Sequence, residues 1–79
     1  MITVPDGTIV LEPREVFDAA LVGVRSKPRE GVTLAVYSRE KCIQALMRAE
    51  GWDYEEAEEY FDFNTAGSYI GPGTPVFHR

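Results

Sequence analysis

The chain has 79 residues, with 13 acidic and 8 basic side chains that give a formal net charge of −5. A chain of this length forms one domain, residues 1–79, which buries only about 60% of the surface that its unfolded chain exposes. The longest apolar stretch, Ala19 to Val24, is far shorter than the ~20 residues of a membrane span, and no leader pattern opens the sequence. We therefore expect a soluble, cytoplasmic protein. The single cysteine, Cys42, excludes an internal disulfide and a cysteine-based zinc site.

The negative charge is concentrated in one segment of the chain. Seven acidic residues and no basic ones lie between positions 50 and 62, whereas the rest of the chain carries two more basic than acidic residues. A local patch of one sign can select a partner, while diffuse charge mainly supports solubility. The acidic segment is therefore the first candidate for a binding surface.

The N-terminal half favours β-strands. Residues 2–4 and 8–11 flank the turn Pro5-Asp6-Gly7, an arrangement that predicts a hairpin. Residues 25–31 are polar and contain a proline and a glycine, so they predict a loop. The β-prone run at 32–37 follows and is the best candidate for a buried central strand.

The segment between the hairpin and the loop favours local helical structure. Pro13 predicts a short helix over residues 14–20, whereas Asp18 is equally suited to cap a single turn that begins at Ala19. The sequence leaves both alternatives open.

Two helices are signalled clearly by their ends. Ser38 is a good N-cap and Gly51 is the expected left-handed stop, so a helix is predicted over Arg39 to Glu50. Asp53 with Glu56 three residues later forms an acidic capping box for a second helix. One face of that helix is marked by Tyr54, Ala57, Tyr60 or Phe61, and Asn64.

A short edge strand is predicted at Thr74 to His78, since Pro75 is tolerated only near the start of a strand or on an edge. The fold class that follows is α+β, with a small, mostly antiparallel sheet of three to four short strands packed against a helix pair. Most aromatic residues of the C-terminal half, Tyr69 included, are expected in the core. Trp52, between the two helices, is the expected exposed anchor.

The second helix carries an acidic row. Its spacing places Glu55, Glu58, Glu59 and Asp62 on one face, where like charges repel by a few tenths of a kcal/mol per pair. A solvated helix face explains this row as well as a binding surface does, and both interpretations stay open. The binding hypothesis assigns partner contacts to Trp52, Asp53, Glu55, Glu56, Glu58, Glu59 and Asp62.

The partner implied by this hypothesis has a basic surface. Carboxylates four residues apart on a helix lie about 6 Å apart along its axis, close to the spacing of phosphates in a nucleic-acid strand. The helix could therefore imitate a nucleic-acid backbone, whereas direct nucleic-acid binding is excluded by its own charge.

No residue pattern points to catalysis. His78 is tied to no nucleophile, and Gly71-Pro72-Gly73 lacks the spacing of a phosphate-binding loop. Cys42 is expected as an apolar filler or a half-exposed thiol of the helix over Arg39 to Glu50. The calcium-loop pattern is also missing from the acidic segment. We therefore expect no catalytic residues, no metal and no cofactor.

The C-terminal half of the sequence contains several distinctive motifs: Tyr37-Ser38-Arg39-Glu40-Lys41, Glu55-Glu56-Ala57, Phe63-Asn64 with Gly67, Tyr69 and Gly71, and Thr74-Pro75-Val76-Phe77. Through these motifs, residues 36 to 77 resemble a family of short proteins encoded by phages and prophages. Ser38 replaces the acid and Trp52 the methionine that are usual in that family.

The resemblance implies a phage setting more than an activity, because members of the family are largely uncharacterised. Small acidic phage proteins are often inhibitors of host machinery, and anti-CRISPR proteins have this profile. The leading hypothesis is therefore an anti-CRISPR-type inhibitor, a monomer or weak dimer in the host cytoplasm, that blocks the basic nucleic-acid groove of a defence complex. The alternative is a phage adaptor that docks on a protein partner through its aromatic face.

Overall fold

The computed structural model describes residues 2–65 and 71–79. Its elements combine three helices, one 3-10 turn and a three-stranded sheet, which confirms the predicted α+β class. In chain order they are α1 (Arg14–Phe17), the 3-10 turn (Asp18–Ala20), β1 (Leu21–Lys27), β2 (Val32–Ser38), α2 (Arg39–Glu50), α3 (Tyr54–Asn64) and β3 (Val76–His78).

Strands β1 and β2 form an antiparallel hairpin in which Lys27 pairs with Val32. The prediction of a loop from Arg25 was wrong, because the strand continues to Lys27 and only residues 28–31 form the turn. Gly31 closes that turn with a φ of +68°, a conformation that favours glycine. The polar residues that suggested a loop are tolerated because β1 is an edge strand with most of its side chains exposed.

Strand β3 pairs with the other side of β2, and this pairing is parallel. The sheet order is β1-β2-β3, so β2 is the central strand, as predicted. The sheet is mixed, with one antiparallel and one parallel pairing. Strand β3 begins directly after Pro75, two residues later than the predicted start at Thr74, since proline has no N–H to donate to the ladder.

The predicted hairpin over residues 2–11 was wrong, because none of those residues lies in a strand. The turn itself forms, with the Thr8 amide donating to the Pro5 carbonyl at 3.2 Å. The flanking segments do not pair with each other. Their apolar side chains pack on the core instead, and the Leu11 amide donates to the buried hydroxyl of Tyr37 at 2.9 Å.

The local helix signals were correct for α2 and α3. Ser38 Oγ accepts a hydrogen bond from the Lys41 amide at 3.2 Å, and Gly51 ends α2 with a φ of +72°. Residues 14–20 are helical throughout, as the first of the two open alternatives required, although the segment is split into α1 and the 3-10 turn. The residue that precedes α1 is Pro13.

The core lies between one face of the sheet and the helices. Tyr37 from β2 and Phe61 from α3 are fully buried, and Phe77 from β3 joins them. The Phe77 ring is 4.9 Å from the Phe61 ring, edge to face, and 6.1 Å from the Tyr37 ring. These aromatic contacts attach α3 to the sheet and fix which of its faces points to solvent.

The acidic and aromatic surface of helix α3

Helix α3 starts with the predicted capping box. The Asp53 carboxylate accepts a hydrogen bond from the Glu56 amide at 2.9 Å, and Glu56 Oε1 accepts one from the Asp53 amide at 3.4 Å. Both carboxylates also lie at the positive end of the helix dipole. Two of the predicted partner-binding residues therefore serve the helix start, while their side chains remain at the surface.

Arg39, the first residue of α2, pairs with two carboxylates of the acidic row. Its Nη2 atom is 3.0 Å from both carboxylate oxygens of Asp62 and 3.3 Å from Oε2 of Glu58. The hydrogen bond to Asp62 is the main cause that raises the pKa of Arg39 above its ordinary value. The guanidinium also lies 5.8 Å from the centre of the Phe61 ring. Half of the predicted row is thus engaged within the protein.

A second polar contact joins α2 to α3. The Tyr54 hydroxyl donates to Glu40 Oε1 at 2.8 Å, and Gln44 donates to the other oxygen of the same carboxylate at 3.0 Å. The bond from Tyr54 lowers the pKa of Glu40, and the same bond raises the pKa of Tyr54. Tyr54 was predicted on the buried face, but it is 38% exposed because its hydroxyl reaches this surface carboxylate.

Glu55 and Glu59 are the carboxylates of the row that stay open. They are exposed and one helical turn apart, and among the described residues no Lys or Arg lies within salt-bridge distance of either. The acidic surface is therefore narrower than the predicted row. It consists of Glu55 and Glu59, together with Asp53 and Glu56 of the capping box.

An aromatic groove adjoins this acidic surface. Trp52, Tyr60 and Phe63 line it, and Glu56, Glu59 and Asn64 complete its wall. The Trp52 and Tyr60 rings are 5.1 Å apart and tilted by 49°. We call these six residues the acidic–aromatic groove.

The predicted distribution of aromatic residues was correct for Phe61 and Phe77, which lie in the core, and wrong for Trp52, Tyr60 and Phe63. Trp52 is not the exposed anchor, since it is partly buried and packs against the core. Phe63 and Tyr60 are the exposed aromatic residues, at 78% and 43%. Of the face marked on α3, only Ala57 and Phe61 are buried, because this helix contacts the core through a narrow stripe.

Two of these features were missed at the level of sequence. The pairing of Arg39 is hidden because it lies 19 residues from Glu58 and 23 from Asp62, on another helix. The groove left a clearer signal, since Glu56, Glu59, Tyr60 and Phe63 follow the i, i+3, i+4, i+7 spacing of one helix face. Applied to these residues, that rule would have placed Phe63 beside the acids.

Cys42, one of the residues considered for chemistry, lies in the core. Cys42 is buried, and burial raises its pKa to about 12, so the thiol stays protonated near neutral pH. No group of His, Cys, Asp and Glu side chains within residues 2–65 and 71–79 is arranged to hold a metal ion. In the same part of the chain, no helix is long and apolar enough to cross a membrane.

The fold and the groove define a small α+β domain that presents one acidic and aromatic helix to solvent. No protein-family model matches the chain, and no curated protein or solved structure is significantly similar to it. The likeness to phage proteins therefore stays a prediction. Part of its motif, at residues 66–70, lies outside the described residues, as does Tyr69 of the expected aromatic core.

Proposed function

We propose that this protein is a binding protein that docks the exposed surface of α3 on a basic surface of a protein partner. Following the phage-type sequence pattern, the proposed partner is a host defence complex, a CRISPR surveillance complex in the specific form. Binding there covers a groove that otherwise holds nucleic acid, and the protein acts as a stoichiometric inhibitor.

The observation that supports this proposal is the pair of open carboxylates on α3. Glu55 and Glu59 form no ion pair in the fold, since no basic side chain of the described residues pairs with them. Their mutual repulsion costs the isolated helix a few tenths of a kcal/mol. A basic partner surface would remove that cost and add attraction at long range, which speeds association.

The proposal keeps the imitation of a nucleic-acid backbone in a reduced form, with two carboxylates in place of four. A row of four free carboxylates would present a longer phosphate-like series, but Arg39 pairs with Glu58 and Asp62. Glu55 and Glu59 keep a spacing of about 6 Å along the helix axis. The proposal therefore rests on these two side chains and on the neighbouring acids of the helix start.

The experiment measures binding of labelled target DNA by purified, guide-loaded CRISPR surveillance complexes in the presence of increasing amounts of this protein. The variant Glu55→Lys/Glu59→Lys reverses the open charges and leaves the Arg39 pairs intact. We expect at least tenfold weaker inhibition, equivalent to about 1.4 kcal/mol. Inhibition by the unchanged protein should also weaken as salt shortens the Debye length from about 10 Å at 0.1 M.

A matched control comes from the N-terminal part of the chain, at and just before α1. Glu12→Lys/Glu15→Lys changes the net charge by the same amount at two exposed positions outside α3, and it should inhibit like the unchanged protein. Equal loss in both variants would show that only net charge matters. If the unchanged protein inhibits none of the complexes, the proposed target class is wrong.

A second candidate function is the adaptor that docks through aromatic side chains. It is favoured by the 78% exposure of Phe63 next to the half-exposed Tyr60. Apolar anchors of this kind dominate binding energy in many protein interfaces. The adaptor predicts binding that is insensitive to salt and is lost in Phe63→Ser, but is retained in Glu55→Lys/Glu59→Lys.

A further inference from the structure

Both flanks of α3 carry carboxylates beside aromatic rings, but an arginine of the chain contacts only one of the two flanks. On one flank the Phe61 ring, Glu58 and Asp62 surround the guanidinium of Arg39. On the other flank the Tyr60 and Phe63 rings lie beside Glu56 and Glu59. On the first flank, Arg39 of the same chain already occupies the space between the carboxylates and the ring. Among the described residues, no Lys or Arg lines the second flank.

We propose that the acidic–aromatic groove binds one arginine side chain of the partner. A guanidinium is planar and weakly hydrated, so it can stack on the exposed Tyr60 and Phe63 rings. Its N–H groups can donate to the Glu59 carboxylate at the rim, and charge-assisted bonds of this type are the stronger ones. The inference deepens the proposed function, because it names the chemical group that a basic partner would place against α3.

The packing of the groove supports a preformed site. Trp52 is partly buried against the core, and its ring holds the Tyr60 ring at a centroid distance of 5.1 Å. The Asn64 side-chain amide donates to the Tyr60 backbone carbonyl at 3.2 Å, within the same turn of the helix. The Trp52 ring therefore supports the Tyr60 ring from one side, which leaves less ordering for the moment of binding.

The test titrates the full chain with N-acetyl-arginine methylamide while NMR spectra report on the Trp52 indole N–H and on the amides of residues 56–63. N-acetyl-citrulline methylamide has nearly the same shape without the charge and serves as the matched ligand. We expect saturable shifts at these signals with the arginine compound. The citrulline compound should bind about tenfold more weakly, equivalent to ~1.4 kcal/mol.

Two variants localise the effect. Glu59→Gln removes the rim charge and Phe63→Ser removes an aromatic wall that is 78% exposed, so neither change disturbs the core. Each should weaken arginine binding about fivefold. Glu15→Gln removes an exposed charge from α1, outside α3 and its groove, and it should bind the arginine compound as the unchanged protein does.

Equal binding of both ligands, or shifts that do not saturate, would overturn the arginine site. An equal loss in Glu15→Gln and Glu59→Gln would also overturn it, because the effect would then come from net charge. This result is separable from the proposed function. Inhibition that depends on Glu55 and Glu59 can persist when the groove binds no arginine, and arginine binding can persist when no defence complex is inhibited.

Discussion

Replacing Arg39 with glutamine tests whether this side chain offsets the repulsion among the acids of α3. The guanidinium contacts Asp62 at 3.0 Å and Glu58 at 3.3 Å, and it lies 5.8 Å from the Phe61 ring centre. Glutamine keeps the helix propensity and much of the length of arginine, but it has no charge. The variant therefore removes the basic partner of both ion pairs, with Glu58 and with Asp62.

The size of the effect follows from exposure. The Glu58 and Asp62 side chains are 40% and 51% exposed, so solvent screens both ion pairs, and each is worth about 0.5 kcal/mol. The contact with the Phe61 ring adds about 0.5 kcal/mol at such a surface position. We expect Arg39→Gln to lower the free energy of unfolding by about 1.5 kcal/mol. For a domain of this size that is a fall in Tm of roughly 6–12 °C.

The assay is urea unfolding followed by the fluorescence of Trp52, which packs on the core beside α3. Arg48→Gln is the matched control, since Arg48 is an exposed residue of α2 that forms no ion pair within residues 2–65 and 71–79. The control should change the free energy of unfolding by no more than ~0.5 kcal/mol. In about 1 M salt the difference between the two variants should shrink by half or more, because the Debye length falls to about 3 Å.

Two results would refute this reasoning. One is an Arg39→Gln variant that loses no more stability than Arg48→Gln. The other is a loss that is unchanged in about 1 M salt, which would assign the effect to packing of the arginine stem and not to its charge. A double-mutant cycle with Asp62→Asn separates the contributions, and we expect a coupling energy of about 0.5 kcal/mol.

Two further predictions concern hydrogen bonds. Tyr37→Phe leaves the Leu11 amide without its acceptor and should cost about 1–2 kcal/mol in urea unfolding; a loss below ~0.5 kcal/mol would contradict the role of this bond. Because the pKa of Glu40 is lowered in the folded state, this carboxylate stabilises the fold at pH values above 4.5, its ordinary pKa. That contribution disappears as the pH falls through the folded-state pKa. Because the pKa of Tyr54 is raised in the folded state, its hydroxyl stabilises the fold at pH values below 10.0, its ordinary pKa. That contribution is lost as the pH rises through the folded-state pKa. Tyr54→Phe should therefore raise the pKa of Glu40 in an NMR titration, and an unchanged pKa would show that the hydrogen bond is not its cause.

The parts of the fold that the sequence predicted are those with local signals. Helix α2 begins after Ser38 and ends at Gly51, and the capping box of α3 is made by residues three positions apart. Each signal acts through the backbone within one turn, so no tertiary information is needed. Strand β2 was recognisable for a similar reason, since its apolar run matches a central position in a sheet.

Strand pairing was predicted poorly because it is decided between distant segments. Residues 2–4 and 8–11 satisfy the local pattern of a hairpin, yet they cover the core without pairing. Strand β1 violates the pattern with three polar residues at its end and still pairs with β2. The availability of a partner strand, which no local window contains, outweighs propensity in both cases.

The sequence predicted which acidic residues lie at the candidate site, but it did not predict which other side chains contact them. The acidic residues of α3 were placed on the correct helix, and the described structure divides them into two that pair with Arg39, two in the capping box and two that stay open. That division depends on how α2 and α3 pack. The exposed Phe63 was missed for the same reason, because exposure is set by which helix face the core covers.

The contact of Phe77 with Phe61 and Tyr37 sets the order in which the fold can be completed. During synthesis, the hairpin of β1 and β2 and the two helices emerge first, and their contacts are mostly local. The position of Phe77 between Tyr37 of β2 and Phe61 of α3 stays empty until residue 77 has been made, 40 residues after Tyr37. A chain that ends before residue 77 therefore leaves the Tyr37 and Phe61 rings without the aromatic contact that β3 supplies.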